Sequence, residues 1–284
     1  MKLLFIGDIV GRPGRDLVRR HLKALAASLD ADVVIANGEN AAGGAGITRD
    51  NTYELLAAGI DVITSGNHVW DKRETLEFIG AEPRLLRPAN YPADTPGHGS
   101  YVALSRHGVK VGVVNVMGRV FLHAIDDPFR TAEREIERVR AGGAQVVFVD
   151  MHAETTSEKM ALGWYLDGKV SAIVGTHTHV QTADERILPG GTAYLTDVGM
   201  TGPHDGVIGM DRAAVIARFV SGLPVRFEPA SGDARLHGVT VTADPATGKA
   251  TAIERVALTE AQLQTITDAA SAASPELGRA VPTA

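Results

Sequence analysis

Val170-Ser171-Ala172-Ile173-Val174-Gly175-Thr176-His177-Thr178-His179 decides the fold, read beside Asp61-Val62-Ile63-Thr64-Ser65-Gly66-Asn67-His68. Each stretch opens on a short apolar run, the pattern of a strand buried on both faces. Each then passes a glycine and closes on amide or imidazole side chains. Such groups are poor core material and good metal ligands. The arrangement recurs outward from these two places. Leu3-Leu4-Phe5-Ile6 runs into Gly7-Asp8, Val33-Val34-Ile35-Ala36 runs into Asn37-Gly38-Glu39-Asn40, and Gln145 to Val149 runs into Asp150-Met151-His152.

Helical patterns separate these runs. Asp16 to Leu29 carries Leu17, His21, Leu25 and Leu29 on one stripe, after a turn at Gly11-Arg12-Pro13-Gly14. Thr48 is placed to cap a helix bearing Tyr53, Leu55 and Leu56. Further helices are expected over 70–79, 127–140, 157–166 and 211–219, with a last one starting near Thr259. Pro83 to Gly99 reads as a long surface loop, and Asp197 to Gly209 as a glycine-rich loop. Hairpins are expected at 101–116 and 186–195, and short strands at 225–228, 236–242 and 250–256. Strand–helix alternation in the first half implies parallel βαβ units. Paired sheets with helices on both outer faces accommodate the hairpins of the second half. In such sheets ligands bind beyond the carboxyl ends of the strands.

The chain has 284 residues, a formal net charge of −6 and no cysteine. A chain of this length buries about 75% of its unfolded surface and needs no covalent staple. The absence of cysteine removes disulfides, thiolate metal sites and thiol nucleophiles. The acidic balance, with no basic block, gives no sign of stable nucleic-acid binding. No signal-peptide pattern and no apolar run of membrane-spanning length is present, so a cytoplasmic protein without membrane attachment is expected. Residues 1–273 read as a single domain, and a poorly ordered tail is expected over 274–284.

Seven candidate ligands share the strand-end placement: Asp8, Glu39, Asn40, Asn67, His152, His177 and His179. One ion of the zinc, iron or manganese type takes about four to six ligands including water. Seven protein groups therefore suit two ions, with Glu39 as the natural bridge. Two ions roughly 3.5–4 Å apart acidify a shared water and clamp a phosphoryl group. The expected reaction is phosphodiester hydrolysis by a metal-bridging hydroxide. His68 adjoins Asn67 and is expected to act as general acid on the leaving oxygen. His177 and His179, two residues apart in a loop, can splay so that one serves each ion. His21 reads as structural, His98, His107, His123 and His237 as surface or loop residues, and His204 as a group whose glycine-rich loop could line the site. Arg12-Pro13-Gly14-Arg15 reads equally as a plain turn or a phosphate cradle.

These motifs, in this order, resemble the calcineurin-like metallophosphoesterases. Val10 stands where that superfamily has a metal-binding histidine, and Glu39 stands for its bridging aspartate. Both departures are similar to a narrower group, the YmdB-like phosphodiesterases. So are Asp8-Ile9-Val10-Gly11-Arg12-Pro13-Gly14-Arg15, Asn37-Gly38-Glu39-Asn40-Ala41-Ala42-Gly43-Gly44, Asp150-Met151-His152-Ala153-Glu154 and Asp197-Val198-Gly199-Met200-Thr201-Gly202-Pro203. The resemblance implies a four-layer α/β/β/α sandwich and two divalent or trivalent ions, iron or manganese. It implies hydrolysis of cyclic nucleotides, 2′,3′-cyclic ahead of 3′,5′-cyclic. By position it implies Asp8, Glu39, Asn40 and His179 around one ion, and Glu39, Asn67, His152 and His177 around the other. A homo-oligomer is expected on general grounds. The rival reading is a metal-bound regulatory or scaffold protein with vestigial catalysis, motivated by Val10. A metallo-amidohydrolase is a third.

Overall fold

A computed structural model describes residues 1–273. The tail expected over 274–284 lies outside the described residues. Thirteen strands and seven α-helices are found among those described. In chain order they are β1 (Lys2–Ile6), β2 (Asp8–Ile9), α1 (Gly11–Ser28), β3 (Val33–Asn37), α2 (Arg49–Ala57), β4 (Val62–Thr64), α3 (Thr75–Phe78), β5 (Ser100–Leu104), β6 (Lys110–Met117), α4 (Pro128–Ala141) and β7 (Val146–His152). Then come α5 (Thr156–Tyr165), β8 (Ala172–Thr176), β9 (Arg186–Ile187), β10 (Ala193–Leu195), β11 (Met200–Pro203), α6 (Arg212–Ser221), β12 (Ala234–Ala243), β13 (Ala250–Thr259) and α7 (Glu260–Ala273).

Two sheets result. The first runs β2-β11-β12-β1-β3-β4, with β13 also pairing β12; the second runs β5-β6-β7-β8-β10-β9. Their facing sides pack through Leu3, Phe5, Val33 and Ile35 against Val111, Val113, Phe148 and Val174. The rings of Phe5 and Phe148 meet across the layer at 5.0 Å between centroids. The first sheet's outer face takes α1, α2 and α7 through Leu17, Leu22, Leu55 and Leu263. The second sheet's outer face takes α4 and α5 through Ile136, Val139 and Leu162. This is the expected four-layer α/β/β/α sandwich.

β1, β3 and β4 are parallel to one another, as are β6, β7, β8 and β10. Their carboxyl ends carry the candidate residues. Thr48 caps α2 as expected, accepting from the Asn51 N–H. No helix among the described residues is long and apolar enough to cross a membrane.

Several expectations are corrected. Gly11-Arg12-Pro13-Gly14 is not a turn but the first turn of α1, where proline is tolerated because its missing N–H needs no partner. The expected helix over 70–79 shrinks to α3 and a following 3-10 turn, because Val69 and Asp71 donate back to Gly66 and His68 in tight turns. Pro83–Gly99 is irregular but not superficial. Leu85 and Leu86 are fully buried, and the Leu86 N–H continues the sheet by bonding Ile63 O at 2.7 Å. The loop at 197–209 contains β11, whereas 225–228 forms no strand. His237 is not a surface or loop residue: it lies within β12 with its ring partly buried against His204.

Candidate metal centre

Asp8 follows β1, Glu39 and Asn40 follow β3, Asn67 follows β4, His152 ends β7, and His177 follows β8. Two sheets packed face to face with their parallel strands ending at one edge bring these positions together. Gly66 permits the close approach, since a Cβ there would collide with the His152 ring and the Glu39 carboxylate.

Four donor atoms converge. His152 Nε2 lies 3.1 Å from Glu39 Oε1, 3.0 Å from Asn67 Oδ1 and 3.1 Å from His177 Nδ1. Ligands about 2.0–2.2 Å from one cation stand roughly 3–3.5 Å from each other, so this spacing fits a coordination shell.

The outer ring nitrogens explain which atoms point inward. His152 Nδ1 donates to Thr176 Oγ1 at 2.9 Å, because the Thr176 hydroxyl spends its own proton on Asp150 Oδ1 at 2.7 Å. Asp150 is fully buried and also accepts from Thr64 Oγ1 and Asn37 Nδ2. Asn37 in turn accepts from the Glu39 N–H at 3.1 Å. His177 Nε2 faces Glu154 Oε2 at 3.0 Å, leaving Nδ1 as a lone pair. The outer partners thus fix the tautomers.

The second group is more open. Asp8 Oδ2 accepts from the His177 N–H at 3.3 Å, while Oδ1 stands 3.9 Å from His179 Nε2. His179 Nδ1 donates to Ile208 O at 2.9 Å, so Nε2 is the free lone pair. Asn40 Nδ2 donates to Gly44 O at 3.1 Å and presents Oδ1. Asp8 Oδ1, Glu39 Oε1 and Asn40 Oδ1 are buried with no hydrogen-bond donor. Buried oxygens without a donor are costly unless a cation satisfies them; Glu39 Oε1 faces His152 Nε2 at 3.1 Å and Asp8 Oδ1 faces His179 Nε2 at 3.9 Å, so the residues present fit a metal.

The electrostatics agree. Burial raises Asp8 to about 6 against the opposing pull of His179 and His152. Burial would raise Glu39 too, but the His152 charge and contact bring it down to about 2. Burial opposes charge on His152, yet Glu39, Asp8 and Asp150 outweigh it and hold the ring at about 9. Burial and then the His152 charge push His177 down to about 3. Positive charge is favoured where His152 Nε2 points.

His177 and His179 both adopt left-handed backbone, with φ of 96° and 64°. This is uncommon for non-glycine residues and accumulates at functional sites. The two rings splay as a loop allows: His177 joins Glu39, Asn67 and His152, and His179 joins Asp8. Thr178 between them bonds Asp197 Oδ2 through N at 3.2 Å and Oγ1 at 2.7 Å. The same oxygen pairs with Lys159 Nζ at 2.6 Å, both side chains fully buried. The His68 N–H donates to Glu39 Oε2 at 3.1 Å, and its ring Nδ1 pairs with Asp71 Oδ2 at 2.8 Å on the partly exposed rim.

The inward-pointing groups are residues nominated from the sequence, whereas their holders are not. Asp150 and Glu154 were visible only as motif letters, although a carboxylate inside the apolar β7 run was a signal. Thr176, Lys159 and Ile208 carried none. His21 is structural as expected: it is buried in α1 with Nδ1 against Thr267 Oγ1 at 2.8 Å.

The chain matches the YmdB-like protein family over residues 4–256. It is 52% identical over 261 residues to a 2′,3′-cyclic-nucleotide 2′-phosphodiesterase of Bacillus subtilis, covering 92% of this chain and 98% of that protein. Among solved structures, a hypothetical protein of Thermus thermophilus shares 43% identity with a TM-score of 0.84, covering 92% of this chain and all of that one. A structure described as a novel phosphatase from Mycoplasma pneumoniae shares 35% identity with a TM-score of 0.84, covering 91% and 93%.

Proposed function

The chain belongs to the YmdB-like protein family, and from that premise we propose that it is a phosphodiesterase acting on cyclic nucleotides, 2′,3′-cyclic ahead of 3′,5′-cyclic, through a pair of metal ions. The observation that carries the reading is the convergence of Glu39 Oε1, Asn67 Oδ1, His152 Nε2 and His177 Nδ1, with the Asp8 carboxylate on the His177 N–H beside them. Glu39, Asn67, His152 and His177 would hold one ion; Asp8, Asn40 and His179 the other, with Glu39 between them. Iron or manganese suits this nitrogen and oxygen set without sulfur. When bound, such a pair neutralises phosphate oxygens and acidifies water at neutral pH.

The chain's own residues do the rest. In its doubly protonated form His68 would give its Nε2 proton to the leaving ribose oxygen, while its Nδ1–H stays on Asp71, which steadies the imidazolium. Glu39 ties the two half-sites and also accepts the His68 N–H, which fixes the general acid relative to the ions. Breaking the 2′-ester bond of a 2′,3′-cyclic phosphate gives a 3′-phosphate and a free 2′-hydroxyl. A cytoplasmic homo-oligomer completes the proposal. Phe219, Val220 and Leu223, 83%, 83% and 65% exposed around the end of α6, supply an apolar surface for self-association.

The test is turnover of bis-p-nitrophenyl phosphate and of 2′,3′-cyclic nucleotides with Mn²⁺ or Fe²⁺, with elemental analysis alongside. Glu39→Gln is expected to lose bound metal. His68→Ala is expected to keep the metal of the wild type and lose about 10²–10⁴-fold in kcat. Absence of turnover with either metal overturns the reading and favours the regulatory one. A fully active His68→Ala removes only the general-acid role.

A further inference from the structure

Beside His179 opens a cavity of about 360 Å³, lined by Val180, Met200, His204, Ile208 and His237 as well as His179 itself. Its size falls within the range of roughly 300–1,000 Å³ usual for small-molecule sites. Of these lining residues, His179 alone is used by the metal centre.

The walls are apolar. Val180 and Ile208 are 62% and 50% exposed at its mouth, and the lining also includes Met200, which is buried. Met200 pairs with Asp8 across β11 and β2, so the lining and metal centre share one register. Ile208 sits at φ 46°. For a β-branched residue this is a true outlier that the surroundings must hold in place. Val207 and Met210 hold it by exchanging backbone hydrogen bonds of 2.9 and 3.0 Å. The strained turn points the Ile208 carbonyl at His179 Nδ1 and leaves its side chain at the cavity.

Besides His179, the polar groups are the Gln181 amide, whose Nε2 is spent on the carbonyls of Val198, Gly238 and Val256, and the imidazoles of His204 and His237. His204 Nδ1 lies 3.0 Å from Gly202 O, which can only accept, so the proton is on Nδ1 and Nε2 is an acceptor. That Nε2, like His237 Nδ1, is buried without a partner. The two rings stand edge to face at 4.6 Å between centroids. Burial lowers both, His237 to about 4, so neither presents a positive charge to a second phosphate. A neutral, flat, hydrogen-bonding group suits this lining; an anion does not.

We propose that this cavity is the nucleoside subsite: it takes the heteroaromatic base of a nucleoside cyclic phosphate between Val180, Met200 and Ile208, with an N–H or O–H of the nucleoside donated to His204 Nε2. The inference rests on the phosphodiesterase reading and adds to it the side on which the base lies, beyond His179 and next to Asp8.

The test compares adenosine 2′,3′-cyclic phosphate with methyl riboside 2′,3′-cyclic phosphate on the metal-loaded full chain. The wild type is expected to favour the adenosine compound by at least about tenfold in kcat/KM, the scale of lost apolar contacts. In His204→Leu and Ile208→Asn the ratio is expected to fall toward one, chiefly through KM. Asparagine tolerates left-handed backbone, so Ile208→Asn keeps the turn while removing the apolar wall. Calorimetry with adenosine alone, which has no phosphate, gives a second readout: binding is expected in the wild type and at least about tenfold weaker in both variants. Equal use of the two substrates by the wild type, or unchanged ratio and adenosine affinity in both variants, overturns the subsite. Failure to hydrolyse either substrate overturns the phosphodiesterase reading instead, and adenosine calorimetry still decides whether the cavity binds a nucleoside.

Discussion

The two halves of the candidate metal centre are built differently. Around His152 every outer atom has a holder: Thr176 for Nδ1, Asp150 for Thr176, Thr64 and Asn37 for Asp150. The holders sit on β3, β4, β7 and β8, inside the sandwich. Around Asp8 the contacts are longer, the Asp8 Oδ1 to His179 separation being 3.9 Å, and the holders are loop carbonyls of Gly44 and Ile208. One half is fixed by strands, and the other is held by turns that also line a cavity. Rigid strands fix coordination, while loops leave room for a substrate to be accommodated.

The strongest tie between the halves is Lys159 with Asp197. Asp197 holds Thr178 between His177 and His179, and also accepts from the Gly199 N–H at 2.8 Å. Lys159→Met is expected to leave a buried carboxylate without its cation and to cost about 3–5 kcal/mol of folding stability. The urea midpoint measures this, with an unchanged slope showing that the unfolded state is not the cause. A variant unfolding at the wild-type midpoint breaks the comparison, because the halves would then not share that anchor.

Acid should separate the halves by the order in which metal is lost. His152 is raised to about 9 and Asp8 to about 6, so in each case a proton competes with a cation below that value. Falling from pH 9 toward 6, His152 binds a proton while Asp8 stays ionised. The affinity of the Glu39, Asn67, His152 and His177 half is expected to drop about tenfold per pH unit, about a thousandfold over the window. Below about pH 6 Asp8 also protonates and the second half follows. Calorimetric metal titration at stepped pH reads this as one equivalent weakening before the other. Parallel loss of both equivalents above pH 6 would merge the two halves into one.

The same contrast explains what the sequence disclosed. Leu3-Leu4-Phe5-Ile6, Val33-Val34-Ile35-Ala36 and the β7 run are continuous apolar segments, and only a strand buried on both faces requires that. Polar groups placed directly after them stood out, so the inward-facing ligand candidates were legible. β11 was not, because Met200-Thr201-Gly202-Pro203 carries glycine and proline, and it forms a strand only through β2 and β12 on its two sides. Leu85 and Leu86 were hidden between turn formers, although burial against β4 places them in the core. Thr176, Glu154 and Ile208 act through space on histidines distant or adjacent in sequence, and no periodicity marks such a role. The paired rings of His204 and His237 meet only because the loop after β11 folds back onto β12.

The smallest expected effect sharpens the comparison most. Thr176→Val keeps the shape of the β8 end and removes only a hydroxyl. That hydroxyl accepts from His152 Nδ1 and donates to Asp150 Oδ1. Without it the His152 ring is no longer held in the tautomer that aims Nε2 at Glu39, Asn67 and His177. Loss of such an outer partner costs about 10–100-fold in metal affinity or activity. The loss should fall on one equivalent of metal, because His179 and Asn40 take their orientation from Ile208 O and Gly44 O instead. Metal titration of the variant therefore expects one weakened and one unchanged equivalent. Equal weakening of both would mean that the Asp150 network reaches Asp8 through Glu39, whose N–H is bound by Asn37, and that the bridging carboxylate transmits order from the strands to the loops.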